Sequence, residues 1–204
     1  MAASREEIDE EFKHLLIDVN LYPNYLTIIT IIKPYIEDRI KEYDNKERFN
    51  DKFIRYIGIF TINLIEKLIR NSVLFIEYKK HITIDSRTVQ SSIRSCLSGY
   101  ILKHTISVGT QRVIRFYDDE NSILNTLILP IDVVKDIINI ITPTLISKNI
   151  RVSKCARVFL ITTIEYLINE LIDVLHNNHT INNNRELLTL WIDLKLPAKI
   201  NIDL

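Results

Sequence analysis

The chain has 204 residues, 47% of them hydrophobic and 25% charged, enough apolar mass to bury a core as one domain or two small ones. Its three glycines are too few for the clustered turns that cradle phosphate in Rossmann or P-loop enzymes, which argues against nucleotide-dependent catalysis. The formal net charge of zero hides an asymmetry: residues 1–24 carry a net −4, residues 25–117 a net +7 and residues 118–204 a net −3, so a surface for a polyanion belongs in the basic middle.

In chain order, the acidic start MAASREEIDEEF is neither a signal nor a transit peptide. Residues 5–20 read as a short amphipathic helix, with Ile8, Phe12, Leu15, Leu16 and Val19 on one side. Residues 1–24 thus form an acidic arm or clamp. Tyr25 to Ile36 reads as a second short helix, ended or kinked by Pro34, and a charged loop covers 37–51. The segment 52–78 is free of Pro and reads as one long helix. After the polar turn KKHITID a third helix opens with Ser86 as N-cap and closes near Leu97. Ser98-Gly99 breaks the pattern, and a further helix covers roughly 100–116, with Gly109 in its middle.

Residues 117–129 read as a linker with some apolar anchoring. Pro130 then opens a short helix over 131–141, and Thr142-Pro143 lies in a loop. Arg151 to Asn177 runs 27 residues without Pro or Gly, its apolar residues recurring every three or four positions from Val158 to Leu175. A helix of that length spans ~40 Å and needs an equally long partner; 52–78 supplies it. A last short helix covers about 185–194. The order short, long, short occurs twice, with no convincing strand between.

Other chemistry is poorly represented. Cys96 and Cys155 sit in apolar helical patterns and read as core residues, not a disulfide. The most apolar stretch, 123–146, is interrupted by Asp132, Lys135 and Asp136 and falls short of a membrane span. His176 and His179 lack a third metal ligand at suitable spacing. Glu165 and Glu170 read as an exposed pair, not a buried acid–base dyad. There is no nucleophile–base pairing, so no catalytic, cofactor or metal site is expected.

The residues also carry a resemblance. Thr83 to Phe116 resembles the 2B-type core histone without a gap, matching at Thr83, Ile84, Ser86, Arg87, Gln90, Arg94, Leu97, Gly99, Lys103, His104, Ser107, Gly109, Thr110 and Val113. Arg151 to Asn177 resembles the second helix of the 2A-type histone, sharing Arg151, Val152, Ala156, Val158, Leu160, Glu165-Tyr166-Leu167, Glu170 and Asn177. Leu129-Pro130-Ile131 is similar to the opening of that histone's first helix. A 2B-type half (25–117), a linker (118–130) and a 2A-type half (131–204) in one chain resemble the histone doublets of large DNA viruses.

The resemblance implies an all-α fold of two tandem histone folds forming one intramolecular handshake dimer. It implies packaging of double-stranded DNA, without sequence preference, into nucleosome-like particles with a histone 4–histone 3 type partner. The virion, a viral factory or the host nucleus would be the location, with no membrane and no small-molecule substrate involved. One DNA site would combine Lys80, His81, Thr83 and Arg87 with Arg151, Val152 and Ser153. A second would use Lys46, Arg48 and Lys52 beside the loop NNHTINNN, where Ile181 stands at the place of the family's minor-groove arginine. Glu165, Glu170 and Asp173 match part of the family's acidic patch, although Tyr100 and Val108 replace other acidic members. Tyr78, Arg94 and Leu97 would face the histone partner. Zero net charge, the absence of basic tails and the uncharged second loop equally suit a different role, an interaction or capping module that binds little DNA itself.

Overall fold

The computed structural model describes residues 33–39, 41, 51–127, 130–132, 135, 138–139 and 149–176. Among them the chain is mostly helical: α1 (Asp51–Tyr78), α2 (Ser86–Cys96), α3 (Gly99–Asp118), α4 (Glu120–Thr126) and α5 (Lys154–His176), with two short strands, β1 (Thr83–Ile84) and β2 (Arg151–Val152). Residues 33–39 are helical as well, as are 131, 132, 135, 138 and 139. No helix among the described residues is long and apolar enough to cross a membrane.

The core is built around α5. Every residue from Val158 to Glu165 is buried, and so are Leu167, Ile168, Leu171 and Ile172. Eight consecutive buried residues cover more than two turns and so all sides of a helix, which one neighbour cannot enclose. Among the described residues α5 packs on α3 above all, then on α2 and α1. The enclosed hydroxyls of Thr162 and Thr163 donate to the carbonyls of Val158 and Phe159, both at 2.9 Å, so their burial leaves no donor unmatched.

The other helices are tied to one another as closely. Ile57, Phe60, Leu64, Ile65, Leu68, Ile69 and Ile76 of α1 are buried. The carbonyl of Leu68 accepts from Ser72 Oγ (2.8 Å) and from Ser92 Oγ (2.7 Å) of α2. Asn71 Nδ2 donates to Ser95 Oγ and Cys96 Sγ. From the helical segment 33–39, buried Tyr35 donates its hydroxyl to Asn169 Oδ1 at 3.1 Å, with the Glu165 carbonyl at 3.4 Å. Residues on either side of 118–130 therefore share one core.

Several boundaries differ from the sequence expectation. Pro34 lies inside a helical segment and does not end it. The cap of α2 is Asp85, one residue before Ser86, its carboxylate accepting from Thr88 N at 2.7 Å. Residues 120–126 of the expected linker form α4, capped by Asp119 and anchored by buried Ile123, with Leu127 buried just beyond. The first residues of the expected long helix, Arg151 and Val152, are extended and pair in parallel with Thr83 and Ile84. The acidic arm 1–24 and the last helix 185–194 lie outside the described residues.

Gly109, which weakens the helical pattern of 100–116, is explained by its neighbour. A Cβ there would meet Phe159 Cε1 at 2.6 Å, closer than real contacts of that kind, and Phe159, 2% exposed, can shift only against other core side chains. Gly109→Ala gains up to ~1 kcal/mol of helix propensity, but overpacking a filled core costs ~1–3 kcal/mol. The clash wins. Thermal unfolding of Gly109→Ala should show a Tm several degrees below that of the parent chain, and pairing it with Phe159→Leu should recover part of the loss.

Candidate nucleic-acid interface

The parallel pairing of β1 with β2, Thr83 opposite Arg151 and Ile84 opposite Val152, brings together two loops far apart in sequence. Arg151 N donates to Ile82 O at 2.8 Å and Ser153 N to Ile84 O at 3.0 Å. Each strand is followed by one cap residue, Asp85 or Ser153, and then by a helix, α2 or α5. Because the strands are parallel and in register, the two helix amino ends start side by side. Each carries unpaired N–H groups and the positive end of a helix dipole, the usual makings of an anion site.

The side chains reinforce that polarity. Lys80, His81, Thr83, Arg87 and Arg151 are exposed, while Val152 and Ser153 are half-buried. Neither α2 nor α5 has an acidic residue in its first turn. Arg87 occupies the first turn of α2, and Lys154 and Arg157 begin α5. Cations at a helix amino end oppose the dipole and reduce the helix's own stability. Cations in the first turns of two adjacent helices suit an external anion, although the Asp85 cap of α2 itself follows the dipole preference.

Lys80 has φ 56°, left-handed backbone that suits glycine. It ends α1 in a Schellman motif, with His81 N donating to Ile76 O (2.8 Å) and Lys80 N to Glu77 O (3.1 Å), at the position where Gly or Asn is usual. A lysine is held where its backbone is strained.

Two carboxylates temper the positive field: Glu120, 2.7 Å from Lys154 Nζ, and Asp85. The Asp85 carboxylate accepts from Thr88 N and Thr88 Oγ1, both at 2.7 Å. Partial burial raises its pKa, but those hydrogen bonds and the charges of Lys79 and Arg87 outweigh burial, and the net shift is downward. The exposed Tyr117 phenol has a raised pKa, chiefly through its interaction with Cys155, and adds no charge. Ser153 is engaged structurally, its Oγ accepting from Ala156 N at 3.1 Å as the cap of α5.

The remaining candidate residues are spread over other parts of the chain. Lys46 and Arg48, and the loop 177–184 with His179 and Ile181, lie outside the described residues, as does the side chain of Lys52, although Lys52 itself belongs to α1. His176 ends α5. Of the three carboxylates expected on one exposed face, Glu165 is buried at 6% exposure, because it belongs to the enclosed stretch of α5; Glu170 and Asp173 are half-buried. Tyr100 and His104 lie nearby, their rings 4.0 Å apart, with Tyr166 stacked at 6.4 Å from His104.

On the expected partner surface Tyr78 is 89% exposed and Leu74, one turn earlier on the same face, 63%. Arg94 is exposed and donates to Gln90 Oε1 at 2.7 Å. Leu97, the C-cap of α2, is buried at 7% in the core. Sequence reasoning passed over Lys154, whose Nζ lies 2.7 Å from Glu120 Oε1, along with Lys135 and Arg157. No family model matches the chain.

The lowered pKa of Asp85 fixes a pH dependence. A carboxyl group whose folded pKa lies below its unfolded value contributes stability above the unfolded pKa and loses it as pH falls through the folded one. Asp85→Asn keeps a good N-cap without the charge, so its Tm at pH 7 should lie somewhat below that of the parent and the gap should close on acidification, while Asp85→Ala should cost ~1 kcal/mol at neutral pH. Melting curves from pH 7 down to pH 3 check both.

Proposed function

We propose that the protein is a histone doublet, a 2B-type fold fused to a 2A-type fold, that packages DNA into nucleosome-like particles together with a histone 4–histone 3 type partner. The parallel β1–β2 pairing carries this reading. It joins the two loops that the resemblance assigns to one DNA site, and it sets two helix amino ends beside Lys80, His81, Arg87 and Arg151. Backbone amides, helix dipoles and basic side chains aimed at phosphates bind a duplex by shape and charge, without reading bases. The enclosure of α5 by α1, α2 and α3 further supports an interleaved arrangement in which neither half buries its long helix alone.

A second reading, an interaction or capping module, draws on the exposed pair Leu74 and Tyr78. The two readings differ in their dependence on salt. Each phosphate contact on duplex DNA contributes about −0.9 to the slope of log affinity against log salt. Arg87→Ala and Arg151→Ala should each reduce that slope by up to about one unit and weaken all sequences alike. Lys80→Gly should weaken binding too, yet raise stability by roughly 0.5–1 kcal/mol by relieving left-handed strain. Fluorescence anisotropy over a salt series, with a mixed-sequence duplex and with or without a histone 3–histone 4 pair, reads this out. Negligible affinity at physiological salt in both settings would leave only the interaction module.

The partner surface has its own test. An exposed aromatic that becomes buried on association commonly costs ~2 kcal/mol or more when truncated, and at 89% exposure Tyr78 supports nothing in the isolated fold. Tyr78→Ala should therefore weaken histone partner binding by calorimetry while leaving the melting temperature unchanged.

A further inference from the structure

Behind β2 lies a cavity of about 330 Å³ between the helical segment around residues 131–139 and the start of α5. Three cationic residues, Lys135, Arg151 and Arg157, line it together with Asn139 and the apolar Ile138, Ile150 and Val152. Arg157 is the unusual member. Its side chain is only 12% exposed, and its buried Nε meets no acceptor among the described residues. Its Nη1 reaches the Ile131 carbonyl at 3.5 Å and Asp132 Oδ1 at 3.4 Å, both long beside the ~2.7–2.9 Å of charge-assisted bonds.

A guanidinium so enclosed and so loosely satisfied is costly to bury unless something completes its bonding. Asp132 is a poor answer: its side chain is 93% exposed, free to turn away, and it offsets one of three positive charges. The cavity has the size of the smallest ligand pockets, and no aromatic residue lines it among those described, so a base would have no stacking surface. A compact oxyanion meets every requirement. Its oxygens accept from the planar Arg157 fork and from Arg151, Lys135 supplies a point charge, and Asn139 donates a neutral hydrogen bond.

We propose that Lys135, Asn139, Arg151 and Arg157 form a binding pocket for a phosphate-class anion, either a free diphosphate or a phosphodiester of a nucleic-acid backbone. The pocket shares Arg151 with the β1–β2 interface, but its existence does not depend on the DNA-packaging reading.

Isothermal titration calorimetry of the full chain with inorganic pyrophosphate at low ionic strength tests the pocket. The expected result is saturable one-to-one binding that weakens about tenfold or more in Lys135→Gln and in Arg157→Gln, the usual effect of losing a hydrogen bond to a charged group, and that tightens in Asp132→Asn. Lys135 is exposed, so its variant remains informative should Arg157→Gln fail to fold. Absence of saturable binding into the millimolar range, or binding that Lys135→Gln leaves unchanged, overturns the proposal. Competition identifies the source: pyrophosphate that displaces a bound duplex marks a backbone socket, and pyrophosphate that binds without displacing it marks a free-anion site. A chain that binds pyrophosphate but no duplex keeps the pocket while the packaging reading falls.

Discussion

The enclosure of α5 is the constraint on which the rest of the molecule depends. A helix buried on all sides over Val158 to Glu165 has no amphipathic face to turn toward water, and outside a core it would expose a continuous apolar surface. Among the described residues, the helices that pack most on it, α1, α2 and α3, come from the earlier part of the chain. Burial of α5 thus draws on residues 51–118, and covalent linkage keeps those residues at high effective concentration. Close approach is part of the same constraint. Gly109 lets α3 lie directly on the ring of Phe159, which is why the helix that contacts α5 most extensively carries a residue poor in helix propensity.

That packing also determines where the strands can meet. β2 immediately precedes α5, and β1 immediately precedes α2; once α2 is seated on α5, their amino ends lie close enough for two residues of each loop to pair. The mini-sheet contributes few hydrogen bonds. Its effect is geometric, aligning two helix starts and gathering Lys80, His81, Arg87 and Arg151. The first turns of both helices then depart from the dipole preference, and Lys80 departs from the backbone preference. Departures from local rules that converge on one place point to function more strongly than any one of them alone.

The long helices were legible because 3.6-residue periodicity over more than six turns leaves no competing pattern, and Asp51–Tyr78 and Lys154–His176 fall within three residues of their expected ends. The strands were not, since alternation needs more than two residues to register, and Arg151 and Val152 extend the helical period of α5 backwards. Asp85 and Ser86 are both good cap residues, and only the observed hydrogen bond to Thr88 chooses between them. α4 was hidden because seven residues with few apolar positions look like an anchored linker. The burial of Glu165 and Leu97 depends on which faces α5 and α2 turn inward, a tertiary fact. Nothing in the sequence pairs Lys135 with Arg157; only the fold brings them to one cavity.

Neutrality of the whole chain is no obstacle to a polyanion partner, because at physiological salt a charge is felt over only ~8 Å. What matters is the balance within that radius of the bound phosphate. At the β1–β2 interface two carboxylates count: Glu120, 2.7 Å from Lys154 Nζ, and Asp85, charged at neutral pH with a lowered pKa, whose position is dictated by structure: without its bonds to Thr88, the first turn of α2 would lose its cap. The cap therefore opposes the very field that the neighbouring cations create. On the proposed reading, the site accepts weaker phosphate attraction in return for a fixed α2 amino end, and the left-handed Lys80 and dipole-opposing Arg87 restore part of the positive potential at further expense to local stability. A loop carrying three such compromises can persist only because the α5 core beneath it is strong enough to hold it.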